Sequence, residues 1–229
     1  MLDDAELKQE IEFNRIQLGM RIPNRIEELL LSIDNARDCL EEWYSSLFIK
    51  IGNSILRVTN DLFLTIGQDA FPASAWNARS LLELWMWTKY CSISTQNARR
   101  FHEDAARDML GLVEAHASMC KLAGIQNPSE VSARKLLAEL AQKELGFSEI
   151  DSAYARVADA AKQIGLAEQF RAWNVHLSKF AHPTAGLVIG IMHQTETLPS
   201  IQSSCTTMGL YYAGQCVISL EGVVSKIPA

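Results

Sequence analysis

The segment WNARSLLELWMWTKY, Trp76 to Tyr90, is apolar on almost every side at the helical period and shows none of the alternation of a strand. Such a helix must be enclosed by others, which predicts an all-α fold in which a bundle closes around a buried central helix. The rest of the chain follows the same period, with sparse and well-separated turn signals. With 229 residues, 48% hydrophobic and 21% charged, the chain has enough apolar material to cover that helix. No internal repeat, low-complexity tract or linker divides it, so residues 1–229 are expected to form a single multi-helix bundle domain.

Local signals place the helices. Leu7, Ile11, Leu18 and Ile22 form one stripe, and Pro23 predicts the start of a second helix, because proline suits a first turn and not a helix interior. That helix runs through EELLLSIDNARDCLEEW and, either directly or after a break, through SSLFIKIGNSILRVTNDLFLTIG, where Gly52 and Asn53 are the weak point. Pro72 opens the central helix, and a long helix from about Asn97 to Leu122 stops at Gly124. Asn127, Pro128 and Glu130 start another that ends at Gly146. Ser148 to Ile164 is closed by Gly165, and Leu166 to Ala181 by Pro183. The last helix covers roughly Ser203 to Val224. Residues 180–229 hold only Glu196, Glu221 and Lys226 as charged side chains, so this apolar C-terminal helix belongs inside the bundle or in a homodimer interface.

Charge and cysteine usage narrow the function. The balance of 21 Lys+Arg against 27 Asp+Glu gives a net charge of −6, which opposes a broad nucleic-acid or anionic-membrane surface and leaves room for a local basic pocket. Cys39, Cys91, Cys120, Cys205 and Cys216 are too scattered for a zinc or thioredoxin-type motif and suggest reduced thiols. The opening MLDDAELKQEIEF is acidic and amphipathic where a signal peptide is basic and then apolar, so a cytoplasmic protein is expected. Thr197 to Leu220 is uncharged but interrupted by Pro199, Gln202, Ser203, Ser204, Thr206, Thr207 and Gln215, which makes it too polar for lipid. Paired Glu-x-x-His units are absent, His193 and Glu196 come in the reversed order, and the consecutive His102, Glu103 and Asp104 point different ways on a helix. No metal or cofactor is expected.

Two groups of polar residues need a reason. Arg79 and Glu83 are one turn apart and share a face with Trp76, Trp87 and Tyr90, which predicts a partly buried ion pair. Trp85 and Trp87 with Tyr90 could stack a base, although such a cluster is usually core. In FRAWNVHLSKFAHPTAG, the stripe Leu166, Phe170, Trp173, Leu177 and Ala181 sets the buried side. Arg171, Asn174, Ser178 and His182 then form a polar row on one shoulder, and His176 lies on the other. Guanidinium, amide, hydroxyl and imidazole together can bind an anion while the imidazole moves a proton.

ARSLLELWMWTKY, followed about a hundred positions later by RAWNVHLSKFAHPTA, resembles a branch of the HEPN-like helical proteins, in which a central helix with Arg and Glu precedes a later helix ending in Ser, His and Pro. The resemblance spans residues 70–190 at best. Arg171, four intervening residues and His176 are similar to the HEPN motif of an arginine followed at short spacing by a histidine. This implies metal-independent RNA cleavage at a homodimer interface, in a toxin or defence protein that can pair with an antitoxin. On one straight helix Arg171 and His176 stand about 140° apart, so they could act together only if the helix ends early or a second subunit supplies one of them. His182 fits the geometry of Arg171 and Ser178 better.

Two functions follow from the sequence. The first is a metal-independent endoribonuclease or RNA-binding component, with Arg171 and His176 or His182 catalytic and Asn174 or Ser178 orienting the phosphate. The second is a noncatalytic scaffold or small-ligand module in which Arg79, Glu83, Ser178 and His182 form one buried structural network.

Overall fold

A computed structural model describes residues 4–68, 70–125, 139, 155–182, 184, 187–188 and 198–227. The elements among the described residues are all helical: α1 (Asp4–Asn35), a 3-10 turn (Arg37–Cys39), α2 (Glu42–Gly67), α3 (Phe71–Ile93), α4 (Thr95–Leu122), α5 (Val157–Gln163), α6 (Ala167–Ala181) and α7 (Leu198–Val224). None of these is long and apolar enough to cross a membrane.

Pro23 does not start a helix. It lies inside α1, which runs through it unbroken. An internal proline costs about 3 kcal/mol through the lost hydrogen bond and the ring's clash with the preceding turn. Burying each of Ile26, Leu29 and Ile33 on the same stripe contributes about 1.5–3 kcal/mol, so packing outweighs the break signal. The chain interrupts instead at 36–41, where the 3-10 turn separates α1 from α2. Gly52 is no weak point either. A Cβ there would lie 2.3 Å from Leu30 Cδ2, so the glycine lets α1 and α2 approach closely within a continuous α2.

The other described boundaries follow their local chemistry. Pro72 sits in the first turn of α3. Ser94 Oγ caps α4 by accepting the Asn97 N–H at 3.1 Å. Gly124 (φ +68°) and Gly165 (φ +75°) end α4 and α5 in the left-handed conformation, each with the paired backbone bonds of a Schellman turn. α7 begins at Leu198, five residues before the expected Ser203, with Pro199 tolerated in its opening turn. Apart from residue 139, the expected helix from Asn127 to Gly146 lies outside the described residues, as do the stretch 148–154, Pro183, His193 and Glu196.

α3 packs against α2, α4, α5, α6 and α7, while α1 packs on α2 and α7. Ala75, Ala78, Leu81, Leu82 and Met86 of α3 are fully enclosed. Gly209 of α7 seats that helix on its neighbours, since a Cβ there would meet Leu62 of α2 at 2.7 Å and Ala78 of α3 at 3.3 Å. Trp85 stacks on Tyr212 at 5.7 Å, and Trp87 packs on Phe101 at 4.7 Å, so these rings serve the core. α6 lies antiparallel to α3, with Phe180 against Phe71 near one end and Asn174 opposite Arg79 further along.

Candidate functional site

The buried side of α6 is set by Phe170, Leu177 and Phe180. Trp173, expected in that stripe, is 38% exposed, while Phe180, two turns further along the same side, packs against Phe71. Asn174, on the shoulder beside that stripe, faces Arg79 of α3. His182 follows directly, in extended backbone at φ −123° and ψ 152°, where α6 has already ended.

Arg79 is the hub. Its Nε donates to Asn174 Oδ1 at 3.0 Å, Nη1 meets His182 Nε2 at 2.8 Å, and Nη2 pairs with Glu83 Oε1 at 3.0 Å. A guanidinium can only donate, so His182 Nε2 accepts and the neutral ring carries its proton on Nδ1. The Arg79 and Glu83 side chains keep 27% and 34% of their surface and His182 is exposed, so the cluster is an open rim, accessible to a ligand. It holds a planar cation, an amide, a carboxylate and an imidazole within one hydrogen-bonded unit. Those groups can bind an oxyanion and transfer a proton.

The remaining nominated residues lie apart from this unit. Ser178 is half-buried and takes no part in its hydrogen bonds, and Arg171 is exposed. His176 is on the other shoulder of α6, its ring edge-on to Phe180 at 5.1 Å and its buried Nε2 without a hydrogen-bond partner. Arg171 and His176 therefore do not meet within the chain. Trp76, one turn before Arg79, is 51% exposed.

A second polar group is not evident as a unit in the sequence. Arg107, 6% exposed, pairs with Asp104 and, at 3.5 Å, with Glu103. The signal that could have revealed it is the i,i+3 and i,i+4 spacing to Arg107, which explains both carboxylates without a ligand. No group of three His, Cys, Asp or Glu side chains fit for a metal lies among the described residues. No family model, curated protein or solved structure matches the chain.

Proposed function

We propose that the chain is a HEPN-like helical protein, one bundle built around α3 with an apolar C-terminal helix, and that it cleaves RNA without a metal at the Arg79 and His182 rim. The observation that carries this reading is the 2.8 Å contact between Arg79 Nη1 and His182 Nε2, an Arg–His pair assembled from two parts of the chain on an accessible edge. A phosphodiester entering the rim takes the guanidinium N–H groups and releases the His182 Nε2 lone pair. His182 then accepts the proton of a ribose 2′-hydroxyl, the 2′-oxygen bonds to phosphorus, and the 5′-oxygen leaves and is protonated by water. Arg79 stabilises the charge that builds on the phosphorane, and Asn174 holds Arg79 in place. Arg171, exposed on the same shoulder of α6, adds a second cation toward the strand. Exposed Tyr211 and Ile218 on α7, at 48% and 58%, support a homodimer.

The noncatalytic reading also has an observation in its favour. Arg79 already engages three partners, as in a structural network that fixes α6 to α3. Incubating a mixed RNA pool with the protein in excess EDTA separates the two. Cleavage leaving 2′,3′-cyclic phosphate ends, reduced about 100-fold or more in His182→Ala and Arg79→Ala but not in His176→Ala, is the expected result. A folded native protein that cleaves nothing leaves the cluster as architecture.

A further inference from the structure

A second polar pocket lies further along α3, where α4 and α5 meet it. Tyr90, Arg100, Arg156, Asp159, Lys162 and Gln163 line an open cavity of about 480 Å³, a size usual for small-ligand sites. Its wall sets three cations against one carboxylate, in a chain whose net charge is −6. Among the described residues none of these three cations is in an ion pair, whereas Arg25, Arg37, Arg79 and Arg107 all are. The cavity thus carries a net positive charge on an acidic chain, which raises the local concentration of anions there.

The rim is held in place rather than left to loop motion. Asp104, 6% exposed and paired with Arg107, uses its second oxygen to accept the Ala155 N–H at 2.9 Å. That bond fixes the backbone immediately before Arg156. Tyr90 forms the floor with only 3% of its surface exposed. Burial raises its phenol, with the Arg100 charge acting against that rise, so the hydroxyl stays protonated at neutral pH and Arg100 lies close to it.

We propose that this pocket binds a phosphate group through Arg100, Arg156 and Lys162. Two arginine forks and an ammonium suit a tetrahedral dianion with several acceptor oxygens better than a single carboxylate. The phosphate comes either from a free nucleotide or from a nucleic-acid strand. Tyr90 follows Arg79 by eleven residues, which is about 16 Å along α3 and only about 20° around it. The pocket and the Arg79 rim thus lie along one face of α3, and a strand could reach both. The pocket's own charge and shape carry the proposal, whatever the chemistry at Arg79.

Calorimetric titration tests it with two probes, adenosine 5′-monophosphate and a single-stranded RNA octamer, the latter in the His182→Ala background so that it stays intact. Binding of at least one probe, weakened tenfold or more in Arg156→Gln/Lys162→Gln and strengthened in Asp159→Asn, is expected. Affinity that also falls as salt rises fits charge recognition. If the mononucleotide binds and Arg79→Met leaves it unchanged, the source is a free nucleotide. If only the octamer binds and Arg79→Met weakens it too, the source is a strand. Failure of both probes to bind the folded native protein, or equal binding to the Arg156→Gln/Lys162→Gln protein, overturns the proposal. Melting curves matching the native protein's for these exposed-site variants exclude unfolding as the cause.

Discussion

Arg79 and His182, 103 positions apart in the chain, meet at 2.8 Å. The contact ties the residue that follows α6 to the first half of α3. It also occupies the imidazole nitrogen that would otherwise face solvent. The same guanidinium holds Asn174 from within α6, so one side chain of α3 fixes both the middle of the later helix and its end. Position and chemistry are therefore coupled at Arg79, and a substitution there is felt in both.

Arg79→Met is expected to lower stability by about 1–3 kcal/mol, because Glu83, Asn174 and His182 each lose a charged partner in a partly shielded place. Arg79→Lys keeps the charge but has no planar fork, so it recovers only part of that loss. Arg171→Ala, on the exposed side of α6, stays within about 0.5 kcal/mol. Chemical denaturation of the three variants measures the ranking, and equal midpoints for Arg79→Met and Arg171→Ala would contradict it.

Two glycines of α7 should respond in opposite directions. At Gly209 an added Cβ meets Leu62 Cδ2 at 2.7 Å, Leu62 Cδ1 at 3.1 Å and Ala78 Cβ at 3.3 Å, and both neighbours are fully buried. Gly209→Ala is expected to destabilise by about 1–3 kcal/mol despite its gain in helix propensity. At Gly214 nothing lies within 4 Å of the added atom, so Gly214→Ala should stabilise by up to about 1 kcal/mol. Thermal melting of the pair gives the signs directly.

The helical class and several helix ends were legible because they depend on local chemistry. Pro72, Gly124 and Gly165 act through their own backbone and do so at the positions the sequence indicates. Pro23 and Gly52 carry equally strong local signals, and both were overridden by packing between α1 and α2 that no local window contains. At the site, the polar shoulder of α6 could be read from periodicity, which correctly separates His176 from Asn174. The pairing of Arg79 with Asn174 could not, since it joins residues 95 positions apart and depends on how α6 docks on α3. The pocket by Arg156 was equally hidden, because Arg100 of α4 joins Arg156 and Lys162 only through the packing of α4 and α5 on α3.

The two left-handed glycines predict a third stability effect. A Cβ added at Gly124 or Gly165 would meet nothing within 4 Å, so only backbone strain opposes substitution. Gly165→Ala and Gly124→Ala should each cost about 1 kcal/mol, and asparagine at either place less, because asparagine tolerates this conformation better. Denaturation midpoints ordered Gly, Asn, Ala at each site are the expected outcome. An alanine as stable as the glycine would show that the turn adopts another geometry in solution.

The cysteines make alkaline pH a probe of the core. Burial pushes the Cys205 thiol up to about 11, and it raises Cys91 and Cys216 further still. Cys39 is exposed and Cys120 half-buried. A thiol whose folded value lies above its ordinary value of 9.0 favours the folded state below that value. The unfolded chain ionises first as pH rises, so it binds fewer protons than the folded one and stability falls with pH from about 9 onward. The loss from Cys205 continues until its folded value near 11 is reached. Denaturant midpoints measured from pH 7 to 11 should therefore hold steady and then decline. Labelling with iodoacetamide gives the independent check: at pH 8 the native protein should react at Cys39 and Cys120, and at Cys91, Cys205 and Cys216 only after unfolding. Rapid native labelling of Cys216 would mean that α7 separates from α3 in solution, since its Sγ lies 3.7 Å from the Leu81 carbonyl in the packed state.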